Sequence, residues 1–127
     1  MRKKTLTILL VLGLLGIICT AEQLLVTLLT QKALSSVKEI TQLIRTDELE
    51  EAYKKTHSLD KEWDEHAQRL EILVDHRSTD DVRYALSKLV AALEGKDKAA
   101  ALIHAGELEG SMEQVYERQA LTIENLF

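Results

Sequence analysis

The chain of 127 residues has no proline, a single cysteine and five glycines. Without proline no stretch is barred from helix, and a composition rich in Leu, Ala, Glu and Lys favours helix throughout. One cysteine, Cys19, excludes an intramolecular disulfide, so cysteine use is silent on the redox compartment. Five scattered glycines cannot build a phosphate loop or a dinucleotide fingerprint, which need glycines clustered at a strand–helix turn. Aromatic residues make up only 4% of the chain, and Trp63 is its one tryptophan. Positive charge is scarce too, and oddly placed. Of 16 Lys and Arg residues three form the head Arg2-Lys3-Lys4, whereas all 21 acidic residues lie beyond Ala21. A surface with that balance repels nucleic-acid phosphate, which sets DNA and RNA aside as partners.

The residues present begin with a basic head and an uncharged, mostly apolar run, TLTILLVLGLLGIICTA. As a helix, Thr5 to Ala21 spans roughly 25 Å, just short of the ~30 Å hydrocarbon core of a bilayer. A cleavable secretory signal, with Cys19-Thr20-Ala21 as its small-residue cleavage site, fits this run. An uncleaved signal anchor fits it too, and the residues after the run favour the anchor. Beyond Glu22 and Gln23 the segment LLVTLLTQKALSSVKEITQLIR continues with no helix breaker, as if one helix left the membrane and entered the domain. Its expected inward stripe is Leu24, Leu28, Leu34, Val37, Thr41 and Ile44. The leucines just beyond Glu22 also allow a longer, tilted span. Bulky Ile18 before Cys19 argues against a lipoprotein signal. The basic head places the N-terminus in the cytoplasm and residues 22–127 outside the cell membrane, or secreted if the run is cleaved.

Three further helices are expected. Asp47 to His76 reads as one, with Leu49, Tyr53, Thr56, Leu59, Trp63, Ala67, Leu70 and Val74 on one face. Thr46 or Asp47 would cap its start, and His76 would close it, facing free carbonyls and the dipole's negative end. Ser78 or Thr79 then caps a shorter helix, with Asp80 and Asp81 in its first turn and Val82, Leu86, Leu89 and Leu93 facing inwards. Gly95 stops it as a C′ residue, and Asp97 caps a last helix from Lys98 to about Asn125. Gly106 and Gly110 in that helix suggest a close helix approach or a kink. Short connectors make neighbours antiparallel. The fold expected is all-α: an N-terminal transmembrane or signal-anchor helix, 1–21, continuing into a three- or four-helix bundle, 22–127.

Signals for chemistry are weak. His57, Asp60 and Asp64 share a helical face, which is more simply a solvated surface than a cation site. A di-iron bundle needs Glu-x-x-His motifs, but the residues three before His57, His66, His76 and His104 are Lys54, Trp63, Leu73 and Ala101. His104 reads as a partly buried helix residue and Trp63 as core. No serine stands in a Gly-rich elbow. The residues therefore point to no catalytic group, no cofactor and no metal. The candidates left, structural or functional, are Trp63, His76, Asp80, Asp81 and Phe127.

Those residues also carry a resemblance. Trp63, Val74-Asp75-His76, Asp80-Asp81, Lys96-Asp97 and the ending Asn125-Leu126-Phe127 follow in an order that resembles the pattern of the DUF4363 family. That is an uncharacterised domain of unknown function in N-terminally anchored small helical proteins of spore-forming Gram-positive bacteria, which this chain resembles. Leu126 departs from the isoleucine usual there. The resemblance implies an anchored bundle in which His76 and Phe127 matter to the fold, and it implies no activity. The reading is a non-enzymatic, membrane-anchored extracytoplasmic module acting through protein–protein contacts. The alternative is a ligand- or metal-sensing bundle using His57, His66, His76 or His104.

Overall fold

The computed structural model describes the backbone of residues 2–71 and 76–126. These form four helices: α1 Arg2–Arg45, α2 Leu49–Leu70, α3 His76–Glu94 and α4 Lys98–Leu126. Each packs on two neighbours, α1 on α2 and α4, and α3 on α2 and α4, which makes an up–down–up–down bundle. Antiparallel register is visible in the side-chain pairs. Lys55 of α2 pairs with Glu39 of α1, and farther along α2 His66 meets Thr30. Lys98 at the start of α4 binds Asp47 at 2.9 Å, and Gln119 near its end reaches Thr27 at 2.7 Å.

A heptad spacing generates the core. Buried positions step by four and three along α1 (Val26, Thr30, Ala33, Val37, Ile40, Ile44), along α2 (Ala52, Thr56, Leu59, Trp63, His66, Leu70) and along α4 (Ala101, Ala105, Leu108, Met112, Val115, Gln119). Helix α3 adds Thr79, Val82, Leu86, Leu89 and Leu93. Such spacing keeps one seam turned to the neighbours along the whole helix. On α1 the buried seam differs from the expected stripe: Leu24 and Leu28 are 59% and 54% exposed, and Val26, Thr30 and Ala33 face inwards instead. Val37 and Ile44 serve both phases. Position in the repeat, not side-chain greasiness, decides which face is buried.

α1 is continuous over 44 residues, roughly 65 Å. Its first buried residue is Val26, so roughly 35 Å of helix stands clear of the bundle. The most apolar 18-residue window of α1 has no residue buried inside the protein, and by length and composition the helix can cross a membrane.

The ends correct several expectations. α2 stops at Leu70 with Glu71 as its C-cap, short of the expected His76. His76 belongs to α3 instead, so it does not close α2 or meet that helix's free carbonyls. Val74 and Asp75 lie outside the described residues, as does Phe127. Neither Thr46 nor Asp47 caps α2: its N-cap is Glu48, with no side-chain cap bond, while Thr46 Oγ1 donates to Glu48 Oε2 at 2.8 Å. Asp97 does cap α4, accepting from the Ala100 amide at 3.1 Å. Past α3, Lys96 rather than Gly95 takes the left-handed conformation (φ 54°), and Asp47 does so past α1 (φ 62°). A β-carbon on Gly106 or Gly110 would meet nothing within 4 Å, so neither admits a neighbouring helix closely.

Candidate functional site

Three of the four helices contribute a polar residue to one level of the core. Thr30, His66 and Gln119 occupy seam positions of α1, α2 and α4 and are 0%, 6% and 1% exposed. His66 Nε2 lies 2.8 Å from Thr30 Oγ1, and Gln119 Oε1 lies 3.2 Å from the same hydroxyl. Gln119 Nε2 donates to Thr27 Oγ1, which donates to the Gln23 carbonyl at 2.9 Å. Proton bookkeeping then selects a tautomer. Thr30 has one hydroxyl proton, and among the described residues Gln119 Oε1 has no other donor. The hydroxyl also reaches the Val26 carbonyl at 2.9 Å, and with its proton shared between Gln119 and that carbonyl, His66 Nε2–H is the donor to Thr30 and Nδ1 is a bare acceptor. Among the described residues, Nδ1 of His66 is the one buried side-chain polar atom with no partner.

Burial pushes the His66 pKa down to about 4, and the nearby Arg69 guanidinium adds to the shift. The ring is therefore neutral at physiological pH. It stands edge-on to Trp63, with ring centroids 5.5 Å apart at 75°. Trp63, 1% exposed, donates from Nε1 to the Thr79 carbonyl at 3.4 Å, tying α2 to the first turn of α3.

A groove of about 650 Å³ opens beside this node, between α1 and α2. Its walls include Leu25, Leu29, Trp63 and His66, with Lys32 and Arg69 on the rim. Volumes of about 300–1,000 Å³ are typical of small-molecule sites. The groove lies at the end of the bundle from which the apolar half of α1 projects.

The remaining candidates lie apart from this node. His76 is exposed, and its Nδ1 lies 3.1 Å from Glu71 Oε1. Asp80 stands 3.7 Å from Arg83, and Asp81 is exposed. His57 is exposed and stacks on Tyr53, and His104 lies 3.3 Å from Glu107. His66 and His76, expected on one long helix, belong to α2 and α3. Among the described residues no three His, Cys, Asp or Glu side chains are grouped to hold a metal ion. Sequence reading passed over Thr30 and Gln119. The one signal for them was spacing: each falls in step with apolar seam residues of its helix.

A four-helix bundle whose first helix extends well beyond it as an exposed apolar rod is the class of protein that this fold defines. The model of DUF4363, a domain of unknown function, matches residues 23–126, and the chain belongs to that family. The match begins beside Glu22, so the apolar run lies ahead of it. No curated protein and no solved structure matches the chain significantly.

Proposed function

We propose that the protein is a non-enzymatic module fastened in the cytoplasmic membrane by the first part of α1, its N-terminus inside and its bundle on the outer face. There it acts through contacts with other proteins. One observation carries this reading: the exposed apolar rod and a core-forming strut of the bundle are the same uninterrupted helix. Severing the rod at Ala21 would leave the bundle helix without its lead-in, whereas retaining it fixes the bundle at a set height above the bilayer. The basic residues confined to Arg2, Lys3 and Lys4 ahead of the run orient the span.

The test is extraction and protease protection in cells. The full-length chain should stay with membranes through an alkaline wash, and protease added outside should digest it down to about Glu22. A soluble product beginning at Glu22 would establish secretion in its place. A bundle protected from external protease would reverse the orientation.

A ligand-binding role has one structural observation in its favour, the groove beside His66.

A further inference from the structure

We propose that the groove between α1 and α2 seats the head group of an anionic membrane lipid, its phosphate between Lys32 and Arg69 and the start of its acyl chains against Leu25 and Leu29. This ligand rests on α1 being the membrane anchor and extends that reading.

Position comes first. Leu24, Leu25 and Leu28 are 59%, 40% and 54% exposed, so the apolar surface of α1 runs past Glu22 to the mouth of the groove. The apolar surface of the rod and the groove floor thus lie along one side of α1, with Glu22 between them. Arg69 lies one turn beyond His66 on the descending helix, which sets it about level with Val26 and Thr27 of α1. Lys32 is then roughly 7 Å higher along the axis, a separation comparable to the head-group layer of about 5–8 Å on each side of a bilayer.

Chemistry agrees with position. Both cations are exposed, and neither forms an ion pair or side-chain hydrogen bond with a described residue. The polar residues of the lining, Glu65, Gln68 and His66, suit head-group hydroxyls. Glu62 and Glu65 equal the two cations in number, so the lining carries no net charge and the preference for anionic lipid rests on the local placement of Lys32 and Arg69 alone and is small. An exposed apolar patch flanked by two unpaired cations at this height, with two carboxylates beside them, suits the surface of a bilayer.

The sole tryptophan lies in the wall and reports occupancy. Full-length protein in mild detergent would be offered phosphatidylglycerol or phosphatidylcholine of identical chains. Retained lipid would be counted by native mass spectrometry, and Trp63 emission followed. Phosphatidylglycerol should be held about two- to threefold more tightly, through the Lys32 and Arg69 contacts to its phosphate, and should shift the emission. Lys32→Gln with Arg69→Gln should remove the preference while thermal unfolding stays unchanged, since both side chains are exposed. Equal retention of the two lipids overturns the proposal, and so does a preference that survives in the double variant. Glycerol phosphate without acyl chains should leave Trp63 unmoved; binding of it would make this a small-anion site and overturn the lipid. Flotation with vesicles separates the two readings. A chain that floats without lipid preference overturns only the groove, whereas a chain that fails to float overturns the anchor and the bilayer as source.

Discussion

Thr30 and His66 are 36 positions apart in the chain and 2.8 Å apart in the core, and their bond joins α1, the helix that carries the apolar rod, to its first neighbour. With Gln119 they form a polar level in a mostly apolar seam. A polar group there costs stability if any partner is missing, and it disfavours registers in which the partners do not meet.

Thr30→Val removes the shared hydroxyl and leaves His66 Nε2 and Gln119 Oε1 unpaired. The expected loss is about 2–4 kcal/mol, from about 1–3 kcal/mol for each buried unsatisfied group. Replacing all three by Val, Leu and Leu should recover most of it, because a wholly apolar level has nothing left unsatisfied. Thermal melts followed by circular dichroism on the detergent-solubilised chain would check both variants.

Acid should weaken the bundle through His66. Its folded pKa of about 4 lies below the unfolded value of about 6.5, so between those values the unfolded chain binds the extra proton. Stability from the neutral ring is fully present above pH ~6.5 and falls away as pH drops towards ~4, on the order of 2–3 kcal/mol in all. His66→Gln should flatten that dependence, which melts across the window would reveal. NMR titration of the ring gives the pKa directly, and a value above about 6.5 would refute the assignment.

Trp63→Ala empties the largest fully buried position and should cost about 3–5 kcal/mol. Native emission should be blue-shifted and resistant to iodide, then red and quenchable on unfolding. Trp63→Phe keeps most of the volume and gives up a long 3.4 Å bond, so its cost should be much smaller.

Lys96→Gly should stabilise the α3–α4 turn by about 0.5–1 kcal/mol, because a side chain at φ 54° is strained where glycine is not. Asp97→Ala should cost about 1 kcal/mol through loss of the cap on Ala100. The opposite signs of adjacent substitutions make a sharp comparison in denaturant melts.

His76→Gln should change stability by less than about 0.5 kcal/mol at neutral pH. Its side chain is 77% exposed, and its contact with Glu71 is a surface pair. A large effect in the same melts would mean that His76 matters to the fold after all, as the family resemblance implied.

Composition and periodicity were enough for the helices themselves. Absent proline, steps of three and four, Thr46-Asp47 and Lys96-Asp97 as breaks, and Asp97 as a cap are local properties, and local backbone preferences act alike in any fold. The unbroken passage from apolar run to bundle was legible for the same reason, as no residue between Thr5 and Arg45 stops a helix. Trp63 was readable as core because its helical stripe was apolar on both sides. The face of α1 that is buried was not readable from its leucines. Both phases of that helix are apolar, and only packing against α2 and α4 chose Val26, Thr30 and Ala33 over Leu24 and Leu28. His76 was misplaced because a dipole argument needs the true helix end, which pairing between helices decides. The node of Thr30, His66 and Gln119, with the groove beside it, belongs wholly to tertiary structure. A hydroxyl, a ring and an amide far apart in sequence become one hydrogen-bonded unit only when three helices bring them to the same height.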